Sequence, residues 1–189
     1  MIDKTLFAGL VQAVVLTKGD RDISPVVEPL RAVFPEVFVW DNSRSENWYV
    51  YSRYAATALS PLPIVYVQDD DCIVDAAAVL AAYEPGRLVA NMRMDRRADY
   101  AGTGICLVGW GAIFEHPLID FGPYLAKYRK DELFLRECDR IFTWLNRDLT
   151  VLIDVPVQHL SYASGPDRMG SEPRHGADYQ EIRRRLATL

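Results

Sequence analysis

The sequence predicts an α/β fold, a single domain whose central sheet is mostly parallel and is flanked by helices. Short apolar segments rich in β-branched residues alternate with segments of helical spacing over most of the chain, a pattern typical of a parallel sheet. The first three apolar segments each end at a polar loop. The 189 residues, 50% hydrophobic and 25% charged, also have the size and composition of one globular domain with a sizeable core.

Three buried strands are predicted in the first part of the chain. Residues 12–16 and 36–40 are short, apolar and largely β-branched, and each segment stops at a polar loop. Residues 64–67 form a third such segment, which leads through one glutamine into the acidic run Asp69-Asp70-Asp71. The carboxyl ends of these strands are therefore the first place to look for a site.

Helical spacing, capping residues and the positions of Gly and Pro predict the remaining elements. Ser24-Pro25, for example, combines a cap residue with a proline in the first turn. Residues 161–176 are rich in Gly, Pro, Ser and charge, which predicts a mobile loop. Residues 1–160 then form the main body, and residues 161–189 form a loop and a short basic helix of the same domain. The other predicted elements are helices 24–34, 49–59, 75–83, 133–145 and 179–186, strands 88–92, 104–108 and 150–155, and the segment 157–160.

Charge, cysteine content and hydropathy argue against several classes of function. The net charge of −5 and the pI near 5.2 argue against binding to nucleic acid or acidic membranes, which needs a clustered cationic surface. The three cysteines are widely spaced and odd in number, so neither a disulfide framework nor a structural zinc site is indicated, and we expect a cytoplasmic protein. The most apolar N-terminal stretch, residues 6–16, is well short of the roughly 20 residues of a membrane-spanning helix. No membrane span is expected.

The acidic run is the first candidate site. In α/β sheets of this kind ligands bind beyond the carboxyl ends of the strands, where all three polar loops would lie. Three adjacent carboxylates repel one another unless solvent or a cation neutralises them. Mg²⁺ and Mn²⁺ prefer oxygen ligands, so one or two of these carboxylates and two phosphate oxygens of a substrate would complete an octahedron. A solvated acidic turn or helix start is the alternative interpretation.

Five short motifs follow one another along the chain: Val39-Trp-Asp-Asn42, Ser52-Arg-Tyr54, Asp69-Asp-Asp71, Gly111-Ala-Ile-Phe-Glu-His116 and Glu137-Cys-Asp139. They resemble the motifs of nucleotide-sugar glycosyltransferases with the Rossmann-like GT-A fold, and most closely those of the exostosin C-terminal domain and related α-N-acetylhexosaminyltransferases. The resemblance covers roughly residues 12–160. The chain differs from that family in having Glu-Cys-Asp in place of Cys-Glu-Asp, and in being shorter than most relatives.

The resemblance implies a metal-dependent glycosyltransferase. Such an enzyme moves a sugar from a nucleoside-diphosphate sugar to the hydroxyl of a glycan, protein or small-molecule acceptor. We expect the donor to be a UDP-sugar and the cofactor to be Mn²⁺ or Mg²⁺. Glu137 and Asp139 lie about 200° apart on a helical wheel, so only one of them points into the site, and Asp139 is the preferred candidate. The implied site consists of Thr17, Lys18, Arg21, Asp41, Arg53, Asp69, Asp70, Trp110 and Gly111 for the nucleotide sugar, Asp71 and His159 for the metal, and Asp139 and Glu137 for catalysis.

Several of these residues have a second interpretation. Trp110 lies between two glycines at a predicted strand end, and it either offers an aromatic face to a sugar or belongs to the core. His159 is either a metal or phosphate ligand or a surface histidine, and His116 is expected to be structural. Arg183, Arg184 and Arg185 favour a solubilising helix over a flap that closes on a diphosphate. For the whole chain, a nucleotidyltransferase and a non-catalytic nucleotide-sugar binding module remain the alternatives.

Overall fold

A six-stranded mixed sheet and a small two-stranded sheet form the framework of the fold. The computed structural model describes residues 7–44, 46, 48–100, 106–160 and 175–189. The strands are β1 (Val11–Thr17), β2 (Glu36–Asp41), β3 (Ile64–Asp69), β4 (Cys72–Val74), β5 (Leu88–Asn91), β6 (Ala112–Glu115), β7 (Thr150–Ile153) and β8 (Val157–His159). The helices are α1 (Ser24–Arg31), α2 (Ser52–Thr57), α3 (Ala76–Ala81), α4 (Met94–Tyr100), α5 (Gly122–Leu125), α6 (Glu132–Leu145) and α7 (His175–Leu186).

The strand directions bring most of the carboxyl ends of the strands to one edge of the main sheet. The strand order is β2-β1-β3-β6-β5-β7. β1 pairs in parallel with β2 and β3, β5 pairs in parallel with β7, and β6 is antiparallel to both β3 and β5. The predicted α/β class with a mostly parallel sheet is therefore confirmed. The carboxyl ends of five strands share one edge with the amino end of β6, and we call this the binding edge.

Helices cover both faces of the main sheet. The side chains of β3 alternate, so that Val65 and Val67 pack in a cluster with α2, α5, α6 and α7, whereas Ile64 and Tyr66 pack in a second cluster with α1 and α3. Because both faces are buried, the strands are apolar on both sides. This explains why they occur in the sequence as continuous apolar segments rather than as alternating ones.

The small sheet returns the chain to the acidic run. β4 and β8 are antiparallel, and Cys72 lies opposite His159 in their register. The backbone N–H of Leu160 also donates a hydrogen bond to the carbonyl of Asp71 at 2.9 Å. The segment that follows β7 therefore ends beside the turn that carries the acidic residues, although the two are some ninety residues apart in the sequence.

Two predicted elements differ in the structure. Residues 106–108 are not in a strand, so the strand expected at 104–108 is wrong over its described part, and residues 104–105 lie outside the described residues. The missing strand is β6, which follows Gly109-Trp110-Gly111 instead of preceding it. Because β6 is antiparallel, these glycines still lie at the binding edge. The predicted loop lies outside the described residues as far as 174, and α7 begins at His175, four residues before the predicted helix.

The C-terminal helix α7 packs on α6 and is not simply a solubilising tail. Ile182 and Leu186 are almost fully buried in the core cluster. Arg185 donates to the Tyr124 hydroxyl at 2.9 Å and pairs with Asp131 at 3.2 Å. The expectation of a solvated basic helix is therefore wrong for Arg185, while Arg183 and Arg184 are exposed. Among the described helices, none has the length and apolar character needed to cross a membrane.

Docking of α7 is testable through its buried isoleucine. Ile182→Ala removes a fully buried side chain and is expected to lower the free energy of unfolding by about 2 to 5 kcal/mol. Arg184→Ala, which removes only the exposed pair with Glu181, is the control and is expected to cost less than about 1 kcal/mol. Urea denaturation measures both. Equal, small losses would show that α7 does not contribute to the core.

Candidate functional site

The binding edge collects polar residues from loops that are distant in the sequence. β1 ends at Thr17, β2 at Asp41 and β3 at Asp69, and the three strands are adjacent and parallel. Trp110 and Gly111 stand immediately before β6, and His159 is at the end of β8. All but three of the residues implied by the resemblance lie on loops or strand ends at this edge, and the exceptions are Arg53 on α2 and Glu137 and Asp139 on α6.

A buried arginine connects two of these elements. The Arg53 side chain, on α2, is only 4% exposed, and its Nη2 donates to Oδ1 of Asp69 at 2.5 Å. Its Nη1 lies 3.1 Å from Oδ2 of Asp139, on α6. Although burial disfavours the charge, these two carboxylates raise the pKa of Arg53, so it stays a cation. Arg53 therefore lies beneath the binding edge and joins the first acidic residue of the run to Asp139.

Asp139 is held by two neighbouring residues of α2. Besides Arg53, the hydroxyl of the buried Tyr54 donates to Oδ1 of Asp139 at 2.8 Å. The Asp139 side chain keeps 23% exposure. Burial raises the pKa of Asp139 to about 6, Arg53 and the Tyr54 hydrogen bond oppose that rise, and Asp69 adds to it. A carboxylate with a pKa near neutrality at the edge of a site is suited to acid–base work or to orienting a hydroxyl group.

The three carboxylates of the acidic run have different surroundings. Asp69 is paired with Arg53, so its charge is compensated within the protein. Burial raises the pKa of Asp70, a hydrogen bond from Thr17 partly offsets this rise, and Arg21 lies 4.0 Å away. Asp71 follows in the turn to β4, where its carbonyl accepts a hydrogen bond from the N–H of Leu160, the residue after His159. Arg53, Arg21 and Thr17 thus partly relieve the repulsion between these carboxylates. The sequence alone does not show these contacts.

Two glycines allow the loops at the binding edge to approach closely. A Cβ atom on Gly109 would lie 1.9 Å from Oδ2 of Asp69, and one on Gly19 would lie 2.3 Å from Oδ1 of Asp41. Gly19 also has a positive φ of 73°. Ser43 holds the pKa of Asp41 below its ordinary value through hydrogen bonds from its hydroxyl and its backbone N–H. The loop after β1, which includes the exposed Lys18, is therefore in contact with an ionised Asp41 at the end of β2.

Asn91 is a site residue that the sequence analysis did not identify. It is fully buried at the end of β5, and its side-chain amide donates to the carbonyls of Trp110 at 3.0 Å and Val155 at 3.1 Å. Its Oδ1 accepts from the N–H of Val155 at 2.8 Å. Asn91 thereby fixes the Trp110 segment against the connection from β7 to β8. A polar residue at the end of an apolar strand, as at Asp41 and Asp69, is the signal that would have found it.

A cleft of about 290 Å³ opens beside Trp110. Trp110 and His159 lie edge to face, with ring centroids 5.2 Å apart. Trp110 is half-buried and packs partly against the core, so part of its ring belongs to the core and part of it stays accessible. The cleft is lined by Arg93, Asp95, Arg96, Trp110 and His159. An aromatic face with charged groups around it is suited to a small polar ring.

Glu137 and His116 lie away from this arrangement. Glu137 is buried and forms a salt bridge with Arg140 on the same helix, in contrast to Asp139, which pairs with Arg53. The two α6 carboxylates thus point in different directions, as the helical wheel predicts. His116 follows the carboxyl end of the antiparallel β6, at the opposite edge of the sheet, and burial lowers its pKa. Neither residue adjoins the acidic run.

Comparison with known proteins adds no family to these observations. No protein-family model matches the chain, and no curated protein sequence matches it significantly. The argument for function therefore rests on the residues and their geometry.

Removal of the Asn91 side chain tests its role in joining the two loops. Asn91→Ala leaves buried backbone groups of Trp110 and Val155 without their partner, and is expected to lower the free energy of unfolding by at least about 2 kcal/mol. Hydrogen exchange should become faster at residues 109–111 and 155. The control is Asn146→Ala, which removes a comparable buried amide at the end of α6 and should leave exchange at those residues unchanged. Unchanged exchange in Asn91→Ala would contradict the assignment.

Proposed function

We propose that the chain is a metal-dependent glycosyltransferase of the GT-A type, which moves a sugar from a UDP-linked donor to an acceptor hydroxyl. The observation that carries the proposal is the linkage Asp69–Arg53–Asp139. It connects the acidic run to a second carboxylate at the same edge of the sheet, whose pKa is raised to about 6. Asp69 and Asp139 belong to two of the motifs on which the family resemblance depends. Their direct connection through Arg53, a residue of a third motif, supports the resemblance independently of sequence order.

The nucleoside is proposed to lie over the ends of β1 and β2. The close contact of Gly19 with Asp41 makes one continuous polar surface of residues 17–21 and the end of β2. Asp41 is an ionised acceptor, which suits the ring N–H of uracil. Arg21, beside Asp70, supplies positive charge toward the diphosphate, while the buried Arg53 acts from beneath through Asp69.

A divalent cation is proposed to bind Asp71 and His159. A carboxylate oxygen and an imidazole nitrogen are donors that Mn²⁺ accepts, and the β4–β8 pairing brings the two segments together. Within the described part of the chain, no group of three or more His, Cys, Asp or Glu side chains is arranged to hold a metal. Phosphate oxygens of the donor and water would supply the remaining ligands, as is common for Mg²⁺ and Mn²⁺. When bound, such a cation neutralises negative charge on the departing diphosphate.

Asp139 is proposed to orient the acceptor hydroxyl. In the transfer step the hydroxyl oxygen forms a bond to the anomeric carbon, while the bond from that carbon to the phosphate oxygen breaks and its electron pair leaves with the nucleoside diphosphate. The hydroxyl proton goes to Asp139 in an inverting enzyme, and to the departing phosphate oxygen in a retaining one. Both routes need an ionised Asp139 that accepts the hydrogen bond of the hydroxyl. The cleft beside Trp110 is the proposed place for a sugar ring.

The metal assignment predicts the behaviour of Asp71→Ala. This variant is expected to lose Mn²⁺-dependent binding of UDP while its melting temperature without metal stays unchanged, because the charge of Asp69 is already compensated by Arg53. Isothermal titration calorimetry with UDP, with and without Mn²⁺, measures the effect. Glu84→Ala removes an exposed carboxylate before β5, away from the binding edge, and should bind as the wild type does. Normal Mn²⁺-dependent binding by Asp71→Ala would show that the metal lies elsewhere.

The catalytic assignment predicts a selective loss in Asp139→Asn. Turnover is expected to fall by about 10²–10⁴-fold with donor affinity nearly unchanged, because a positioned acid or base contributes this much and Asp139 does not adjoin the proposed nucleoside surface. Transfer and donor hydrolysis are assayed separately by UDP release. Asp148→Asn makes the same chemical change at an exposed residue after α6, and should be silent.

Glu137→Gln is the variant that decides between the two α6 carboxylates. Since Glu137 is buried against Arg140, we expect it to lower the melting temperature and to leave the turnover of the folded enzyme close to that of the wild type. Should Glu137→Gln abolish turnover while Asp139→Asn retains it, the catalytic carboxylate is misassigned by two positions.

A further inference from the structure

Tyr54 is the residue beside Arg53 in α2, and its hydroxyl has one observed acceptor, the carboxylate of Asp139. We propose that Tyr54 is a positioning residue for Asp139, which fixes the orientation of this carboxylate toward the acceptor hydroxyl. This inference rests on the proposed function. It adds a role for a residue that contacts neither donor nor metal in that proposal.

Both oxygens of the Asp139 carboxylate have a partner on α2. Tyr54 donates to Oδ1 of Asp139 at 2.8 Å, and Arg53 approaches Oδ2 at 3.1 Å. Two consecutive residues of one helix thus hold both oxygens of a carboxylate on another helix. The hydrogen bond and the ion pair together restrict rotation of this carboxylate, so they favour one direction for its remaining lone pairs.

The Tyr54 ring that carries the hydroxyl is held rigidly. The Tyr54 ring is 2% exposed and packs against Phe121 and Phe142, each with a ring-centroid distance of 5.1 Å. The hydroxyl therefore reaches Asp139 from a fixed ring, and Asp139 is the partially exposed member of the pair.

The hydrogen bond from Tyr54 also affects the charge state of Asp139. The groups that affect or face Asp139 are Arg53 and Tyr54 from α2, Asp69 from β3, and the buried thiols Cys106 and Cys138. Burial raises the pKa of Asp139, and the Tyr54 hydrogen bond lowers it. Loss of that bond therefore raises the pKa further, so the ionised form is lost at a higher pH. The acid limb of a pH–rate profile that depends on ionised Asp139 should move to higher pH.

The experiment compares Tyr54→Phe with Tyr124→Phe. Tyr124 is an equally buried tyrosine whose hydroxyl accepts a hydrogen bond from Arg185, away from the binding edge. With Mn²⁺ and UDP-glucose or UDP-N-acetylglucosamine, release of UDP is measured against pH. Tyr54→Phe is expected to lower kcat by about tenfold or more, to leave the donor KM unchanged, and to move the acid limb to higher pH. Tyr124→Phe is expected to match the wild type in all three.

Each outcome has a definite meaning. A kcat and acid limb in Tyr54→Phe that equal those of Tyr124→Phe overturn the positioning role, while the proposed function stands because the wild type is active. A wild type that releases UDP from neither donor overturns the proposed function and the inference with it. A melting temperature lowered equally in both variants, together with a kcat loss confined to Tyr54→Phe, supports positioning over simple stabilisation.

Discussion

The buried charge of Arg53 is the constraint on which the arrangement of the binding edge depends. An arginine side chain with 4% exposure is tolerated only when nearby carboxylates compensate its charge, because an unpaired buried cation is very costly. Asp69 and Asp139 provide that compensation from opposite sides. The pairing fixes α2, the end of β3 and the middle of α6 relative to one another. Since β3 is central in the sheet and α6 is the longest helix of the described chain, the same interaction that satisfies Arg53 also sets the position of the acidic run relative to Asp139.

Most of the fold follows from local sequence patterns, and its exceptions have a common cause. β1, β3 and β5 are buried on both faces and the edge strands β2 and β7 are partly buried, so apolar composition alone identifies all five. β4 and β8 have only three residues each and exist because they pair with each other. β6 is not identified by composition, because the apolar residues 105–108, separated from it by Gly109-Trp110-Gly111, have a similar composition. What separates the two segments is pairing with β3 and β5, which is a long-range property that no window of sequence contains.

In the candidate site, too, some residues can be predicted from local sequence patterns, whereas their long-range contacts cannot. Thr17, Asp41 and the acidic run could be predicted because a polar residue at the end of an apolar strand is visible locally, and the parallel sheet then brings those ends together. The partners of these residues could not. Arg53 and Asp69 are 16 positions apart, and Tyr54 and Asp139 are 85 apart. The sequence identifies Arg53 and Asp139 only through the resemblance to a family, whereas their ion pair becomes visible only when α2 and α6 pack together. Asn91 also depends on partners from two distant loops.

The same pairing changes the electrostatic argument about the acidic run. Considered as sequence, three adjacent aspartates form a repelling cluster that calls for a cation. In the folded chain Arg53 already compensates Asp69, and a hydrogen bond from Thr17 favours the charged form of Asp70 against its burial. Repulsion alone is therefore no longer a sufficient reason to invoke a metal. The remaining reason for a metal is local to Asp71, whose carbonyl is bonded to the N–H of Leu160, the residue after His159. In the proposed function a cation there would act on the diphosphate of a donor rather than on the stability of the fold.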